Sequence, residues 1–513
     1  MATSNQNSSR SGDLITTIAL FLGPLLSIII ILFFDMDPER PEVTRTAAVA
    51  LLMAIWWITE AIPLAITSLL PIVLFPALGI MNGKTVAPIY FNHIIFLFIG
   101  GFLVALAMRR WNLHKRIALR ILLWFGINPR SILLGFMVAT AFLSMWISNT
   151  ATTMMMVPIV LAIVLNLEDM LGKTKVRKYS IGVFLGVAYS ASIGGIATLV
   201  GTPPNLSFAR ILTICFPNAP DISFANWMIF ALPISVVLLI TVWLFLALFF
   251  CPKKGEFNLD VGIFRKQYRA LGPISFEERV VLTDFVILAL LWLLRADIRI
   301  GEFTIPGWSN LFPNPGFLND GTVAIAMAII LFLIPSRKEK GSRVMDWNAV
   351  AKLPWGIVLL FGGGFALASG FKESGLSLWF GQQLEGAGHL HPILLIAVIC
   401  VIITFLTELT SNTATAEMLL PILAALAIAV RVNPLLLMIP GTLSCSCAFM
   451  LPVATPPNAI VFGTERLRIS DMARAGFLLN LLGVITITLI TYFLGRLVFG
   501  IDLAQMPDWA VTQ

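Results

Sequence analysis

Two stretches of this chain set hydrogen-bonding residues into otherwise apolar surroundings. Residues 142–159 read FLSMWISNTATTMMMVPI and residues 405–422 read FLTELTSNTATAEMLLPI, so that Ser148-Asn149-Thr150 and Ser411-Asn412-Thr413 occupy equivalent places. Each is followed by a second shared element, VGTPPNLSF at 200–208 and VATPPNAIV at 453–461. Ser, Asn and Thr are mediocre helix-interior residues but good N-caps. A Ser-Asn-Thr tip inside a membrane therefore ends one half-helix and starts another, leaving N–H groups, amides and hydroxyls aimed at a common point. Such a helix start suits an anion. The paired prolines remove two backbone donors and unwind the chain, which frees carbonyl oxygens. Carbonyls and hydroxyls at mid-membrane are hard ligands, suited to Na+. Neither motif contains Lys or Arg. A bound dianion would then depend on helix ends, amides and co-bound cations, and each ligand would raise the affinity of the other.

The surroundings explain why such groups need a purpose. Of 513 residues 58% are hydrophobic and 12% charged, against about 25% charged in soluble domains. Apolar runs of about 20 residues, enough to cross a bilayer, recur from Leu14 to Val498 and leave no room for a sizeable soluble domain. The first run, Leu14 to Phe34, exceeds a signal-peptide core and lacks a small-x-small cleavage site, so it reads as a retained helix. The formal charge of +7 is concentrated in short loops, which is the positive-inside pattern and not a nucleic-acid surface. Five Cys and four His lack the spacing of a disulfide framework or a zinc site. Cys445 and Cys447 fall on different helix faces and read as small packing residues.

Loop charges orient the chain. Basic loops at 109–120, 172–178, 251–272, 335–343 and 465–474 belong on the cytoplasmic side. Both flanks of 131–165 are basic, so this segment enters and leaves by one face. Its two arms of about 16 residues make it a re-entrant hairpin with Ser148–Thr152 at the tip. Residues 392–432 read as a second hairpin opening outward. Pro129 precedes Ser148 by the same interval as Pro392 precedes Ser411. Oppositely entering copies of one motif mark an inverted repeat, as in many secondary transporters.

The expected fold is all-α and polytopic, with eleven full spans plus two re-entrant hairpins, the amino terminus inside and the carboxyl terminus outside. Its expected parts are a scaffold at 14–128, a first transport repeat at 129–250, a cytoplasmic loop at 251–279, a second scaffold part at 280–391 and a second transport repeat at 392–499. Residues 46–79 divide into two helices at Glu60 and Pro63. A lone Ser-Asn-Thr would serve as interhelical glue. Two copies of both elements, in one order, favour a binding site instead. Glu60, Glu408 and Glu417 are intramembrane carboxylates and functional candidates. Glu408 and Glu417 read as structural or cavity-facing, because the first copy has Met145 and Met154 in their places.

The two Ser-Asn-Thr tips, the two Thr-Pro-Pro-Asn breaks, WWITEAIPLAITSLLP and RWNLHKRIAL resemble the divalent anion/sodium symporter family, over about residues 14–499. The resemblance implies carriage of dicarboxylates, citrate or sulfate by a homodimer in which the transport domain moves like an elevator. It implies substrate contacts at Ser148, Asn149, Thr150, Ser411, Asn412 and Thr413, with Thr202, Pro203, Thr455 and Pro456 nearby. A first sodium site maps to Ser144, Ser148, Asn149 and Gly201, and a second to Thr407, Thr410, Asn412 and Ala454. Thr410 is larger than expected at its position, a change that a carbonyl ligand would survive. The hydroxyls kept at Ser144 and Thr407 favour Na+ symport over sodium-independent exchange. C4-dicarboxylates such as succinate, malate and fumarate are the expected substrates, ahead of citrate and sulfate, in a bacterial inner membrane. An anion channel is the alternative from another class. A membrane hydrolase would need a base, and His93, His114, His389 and His391 lie near predicted membrane edges, far from either tip.

Overall fold

The computed structural model describes residues 2–252, 262–300, 303–384, 391–502 and 505–511. His389 and parts of the loops expected at 251–279 and 371–391 lie outside the described residues. Among those described the chain is mostly helical, and nine helices are long and apolar enough to cross a membrane. One feature departs from an all-α fold. Ile298–Ile300 pairs antiparallel with Phe303–Ile305, with Ile298 opposite Ile305. This loop is rich in β-branched residues and lies outside the apolar runs, where strand pairing satisfies its backbone.

The division of 46–79 is found where the punctuation placed it. Helix Pro41–Thr59 ends on Glu60, which adopts a left-handed backbone at φ 49°, and the chain resumes as Leu64–Thr67 and Leu70–Ala77. Pro63, just before Leu64, cannot donate to the preceding turn.

Each Ser-Asn-Thr opens the second helix of a pair. The first pair is Pro129–Ser144 and Asn149–Leu171; the second is Pro392–Leu406 and Asn412–Ala429. Three of these helices have 15 to 18 residues, near the expected length. Asn149–Leu171 has 23 residues and, like the 18-residue Asn412–Ala429, is long and apolar enough to cross by itself. Its extra turns carry Glu168, which pairs with Arg466 in the basic segment at 465–474. A charged partner stabilises helix that apolar length alone would not require.

Thr-Pro-Pro-Asn interrupts a helix at both places. Lys173–Ile196 gives way to Pro203–Cys215, and Leu435–Ser444 to Pro456–Phe462. The prolines occupy the first helical positions, where a missing N–H costs nothing.

Glycines set the closest approaches. At Gly194 an added Cβ would lie 2.2 Å from the Ala141 carbonyl oxygen, so the first hairpin arm and the broken helix meet backbone to backbone. In helix Trp355–Ser374 three successive glycines admit three different neighbours. Added Cβ atoms would meet the Tyr90 ring at Gly362, Ser68 at Gly363 and the Glu417 carboxylate at Gly364.

Candidate functional site

A cavity of about 970 Å³ lies where the two motif pairs converge. From the first half, Ser148, Asn149, Thr150, Gly201, Thr202 and Pro203 line it. From the second come Thr410, Ser411, Asn412, Thr413, Ala454, Thr455 and Pro456. Residues more than 250 positions apart in sequence thus share one wall.

The tips begin helices as their residue types require. Ser148 is the N-cap of Asn149–Leu171, and its hydroxyl accepts from the Ala151 N–H at 3.3 Å. Ser411 caps Asn412–Ala429 without a side-chain bond. The first N–H groups of an α-helix have no acceptor within the helix, and here both helix starts face the cavity. Two positive dipole ends therefore meet in one space.

Behind each tip the geometry is oxygen-rich. Ser144 and Thr407 do not reach the cavity. The Ser144 hydroxyl is 2.6 Å from Asn149 Oδ1 and 2.7 Å from the Ala191 carbonyl. Thr407 repeats this with Asn412 Oδ1 at 2.7 Å and the Cys445 carbonyl at 3.1 Å. One hydroxyl proton serves two acceptors in each case, which leaves a surplus of lone pairs that suits an alkali cation. At Gly195 an added Cβ would lie 2.6 Å from Asn149 Oδ1 and 3.1 Å from the Gly201 carbonyl oxygen. Asn149 is therefore seated between the two helix fragments. Thr410, larger than expected, turns its hydroxyl onto the Leu406 carbonyl and the Thr415 hydroxyl.

The breaks free fewer carbonyls than the prolines alone suggest. Asn205 Nδ2 lies 3.2, 3.2 and 2.7 Å from the carbonyls of Gly195, Ile196 and Thr198. Asn458 does the same for Ala448 and Leu451, at 3.1 and 3.0 Å. The fourth residue of the motif is thus a strap that closes the end of the preceding half-helix. Its presence in both copies was the available signal. Glu408 serves the second break, accepting from the Met450 and Leu451 amides at 2.9 and 3.0 Å and from Asn480 at 2.7 Å. Glu417 is fully buried and accepts from Ser207, joining the second hairpin to the first broken helix. Neither carboxylate lines the cavity. Glu60 does.

Apart from Thr16, Thr59 and Glu60, the rest of the wall is apolar. Trp146 and Leu409 stand at equivalent positions before the two tips, and Val200 and Val453 before the two breaks. No Lys, Arg or His lines the cavity among the described residues.

Comparison with known proteins identifies the family. Residues 17–501 match the family described as the sodium:sulfate symporter transmembrane region. The chain is 45% identical to the sodium-dependent dicarboxylate transporter SdcS of Staphylococcus saprophyticus, over 98% of this chain and 96% of that protein. It is also 45% identical to SdcS of Staphylococcus aureus, over 95% and 93%. Among solved structures, Neisseria gonorrhoeae MtrF, from a class of antimetabolite efflux pumps, aligns with a TM-score of 0.53 over 91% of this chain and 96% of its own. The YdaH transporter of Alcanivorax borkumensis aligns with a TM-score of 0.53 over 89% and 99%. Both are 13% identical to it and indicate the fold alone.

Proposed function

Since the chain belongs to the sodium:sulfate symporter family, we propose that it imports C4-dicarboxylates, such as succinate, malate and fumarate, by symport with Na+. It is a multi-pass membrane transporter of the bacterial plasma membrane, and its staphylococcal relatives are sodium-dependent dicarboxylate transporters. The observation that carries the reading is that both Ser-Asn-Thr tips and both Thr-Pro-Pro breaks line one cavity without a cationic side chain. A dianion there is held by helix N-termini, by the polar tip residues and by Na+.

Ser148, Asn149, Thr150, Ser411, Asn412 and Thr413 contact the two carboxylates, with Thr202, Pro203, Thr455 and Pro456 beside them. One Na+ is held by Ser144, Ser148, Asn149 and Gly201, the other by Thr407, Thr410, Asn412 and Ala454. The oxygen clusters behind the tips support both assignments. Trp146, Leu409, Val200 and Val453 favour a substrate with methylene or methine groups over sulfate, because sulfate offers no apolar surface to bury.

Eleven spans and two hairpins, arranged as an inverted repeat, divide into a scaffold (14–128 and 280–391) and a transport domain (129–250 and 392–499). The scaffold forms a homodimer, and the transport domain moves against it as an elevator. The cavity is also lined by Glu60 and Ile357, at helix ends, and by Thr16, near the start of the apolar span Leu14–Phe33; loop charge assigns all three to the cytoplasmic side. This arrangement corresponds to an inward-open state.

Uptake of labelled succinate into proteoliposomes under a sodium gradient tests the reading, with citrate and sulfate as competitors. Sodium-driven accumulation that succinate inhibits better than sulfate is expected. Flux indifferent to sodium would favour a channel, and stronger competition by sulfate would overturn the substrate.

A further inference from the structure

Glu60 is the one charged side chain among the described residues that line the cavity. Its sign is opposite to that expected at a dianion site. It is exposed, and no Lys, Arg or His pairs with it among the described residues. Its backbone is in the left-handed region at φ 49°, a conformation that costs a non-glycine residue energy and persists where the surroundings maintain it. It also follows the C-terminus of helix Pro41–Thr59, where unpaired carbonyls add further negative potential. The neighbouring Thr59 hydroxyl donates back to the Ile55 carbonyl at 2.7 Å and does not neutralise it.

Resting on the transport reading above, we propose that Glu60 expels the substrate into the cytoplasm by setting the affinity of the inward-open site. Its carboxylate repels the dianion and attracts Na+ across the cavity, whose low-dielectric walls focus the field of a charge that lies within it. Glu60 lies in the scaffold, so it stays behind when the transport domain carries the tips outward. The repulsion therefore acts on one face only. Substrate binds from outside against helix N-termini and Na+, and meets a fixed negative charge once it faces the cytoplasm. The bias needs no cationic residue in the motifs and no movement of Glu60 itself.

The test uses right-side-out membrane vesicles containing the full chain, with sodium-driven uptake of labelled succinate as the readout. In Glu60→Gln, luminal succinate at fixed luminal Na+ is expected to inhibit uptake at a concentration roughly threefold lower or more. Luminal Na+ at fixed luminal succinate is expected to inhibit at a higher concentration than in the wild type. The external KM for succinate stays within about twofold, an effect small on the scale of one lost charge interaction. A structural disturbance would not move two luminal ligands in opposite directions while sparing the outer face. Glu60→Asp keeps the charge and should retain wild-type behaviour. Glu60→Asn, which tolerates the left-handed backbone, replaces Gln should that variant fail to insert. Luminal inhibition unchanged in the neutral variants overturns the proposal and leaves the transport reading intact. Absence of sodium-driven succinate uptake in the wild type overturns both.

Discussion

The hydroxyl of Ser144 lies 2.6 Å from the side-chain oxygen of Asn149, five residues further along and across the first hairpin tip. Thr407 and Asn412 repeat the relationship in the second half at 2.7 Å. Neither hydroxyl lines the cavity, so in the proposed site both act through the cation that the asparagine oxygen helps to hold. Ser144→Ala and Thr407→Ala should each raise the Na+ concentration for half-maximal uptake about fivefold, the effect of about 1 kcal/mol for one hydrogen-bonding group. Thr407→Ser should stay near wild type. The sodium dependence of succinate uptake measures both, and unchanged sodium curves would remove these residues from the cation sites.

Asn149 and Asn412 are shared between the proposed anion and cation sites, so their loss should be more severe. Asn149→Ala or Asn412→Ala is expected to abolish sodium-driven uptake while the protein still inserts and elutes as a single species in detergent. Near-normal uptake by both variants would refute the site.

Asn205 and Asn458 have a different task, because each amide satisfies buried carbonyls at a helix break. Leaving such groups unpaired costs about 1–3 kcal/mol. Asn205→Ala and Asn458→Ala should therefore lower the thermal unfolding temperature in detergent as well as transport. Asp at either position should do no better, since a carboxylate cannot donate to a carbonyl.

Gly364 is in direct contact with Glu417: an added Cβ would lie 1.9 Å from its Oε2. Gly364→Ala should destabilise the protein by about 1–3 kcal/mol, as overpacking does. The clash is with a side chain, so Glu417→Ala should restore part of the lost stability in the double variant. A thermal-shift double-mutant cycle reads the coupling, and simple additivity would contradict the contact.

His114 supplies a pH dependence outside the membrane. Burial lowers the imidazole pKa to about 4, assisted by Lys115 and Arg109, although a hydrogen-bonding contact with the Met108 carbonyl opposes the shift. A base whose folded pKa lies below its unfolded value takes up fewer protons when folded. Its stability is thus intact above about pH 6.5 and falls as the pH drops toward 4. Thermal stability in detergent should decline across that interval, and His114→Gln should flatten the decline.

The doubled motif was legible because local physics makes it so. Ser-Asn-Thr can cap but resists helix interiors, and Pro-Pro is excluded from a helix interior though not from its first turn, so tips and breaks were readable before any packing was known. The division at Glu60 and Pro63 was readable for the same reason. A further correspondence is hidden in the residue types. Leu113 and Leu376 both start helices directly after a left-handed residue, Asn112 at φ 59° and Gly375 at φ 85°, at the separation that relates Ser148 to Ser411. The substitution of Asn for Gly hid it, although both residue types tolerate that backbone.

The sequence by itself determined the membrane class, the two tips, the two breaks and the absence of a cation within either motif, because each follows from residue type and near-neighbour spacing. Only the tertiary structure decided that the tips share one cavity, that Ser144 and Thr407 stand behind it, and that Glu60 joins it from a distant helix. It also decided that Asn205 and Asn458 occupy carbonyls the prolines would have left open. These outcomes depend on how closely helices far apart in the chain approach, which is set by glycines such as Gly194 and Gly364 against backbone and side chains that no local pattern identifies.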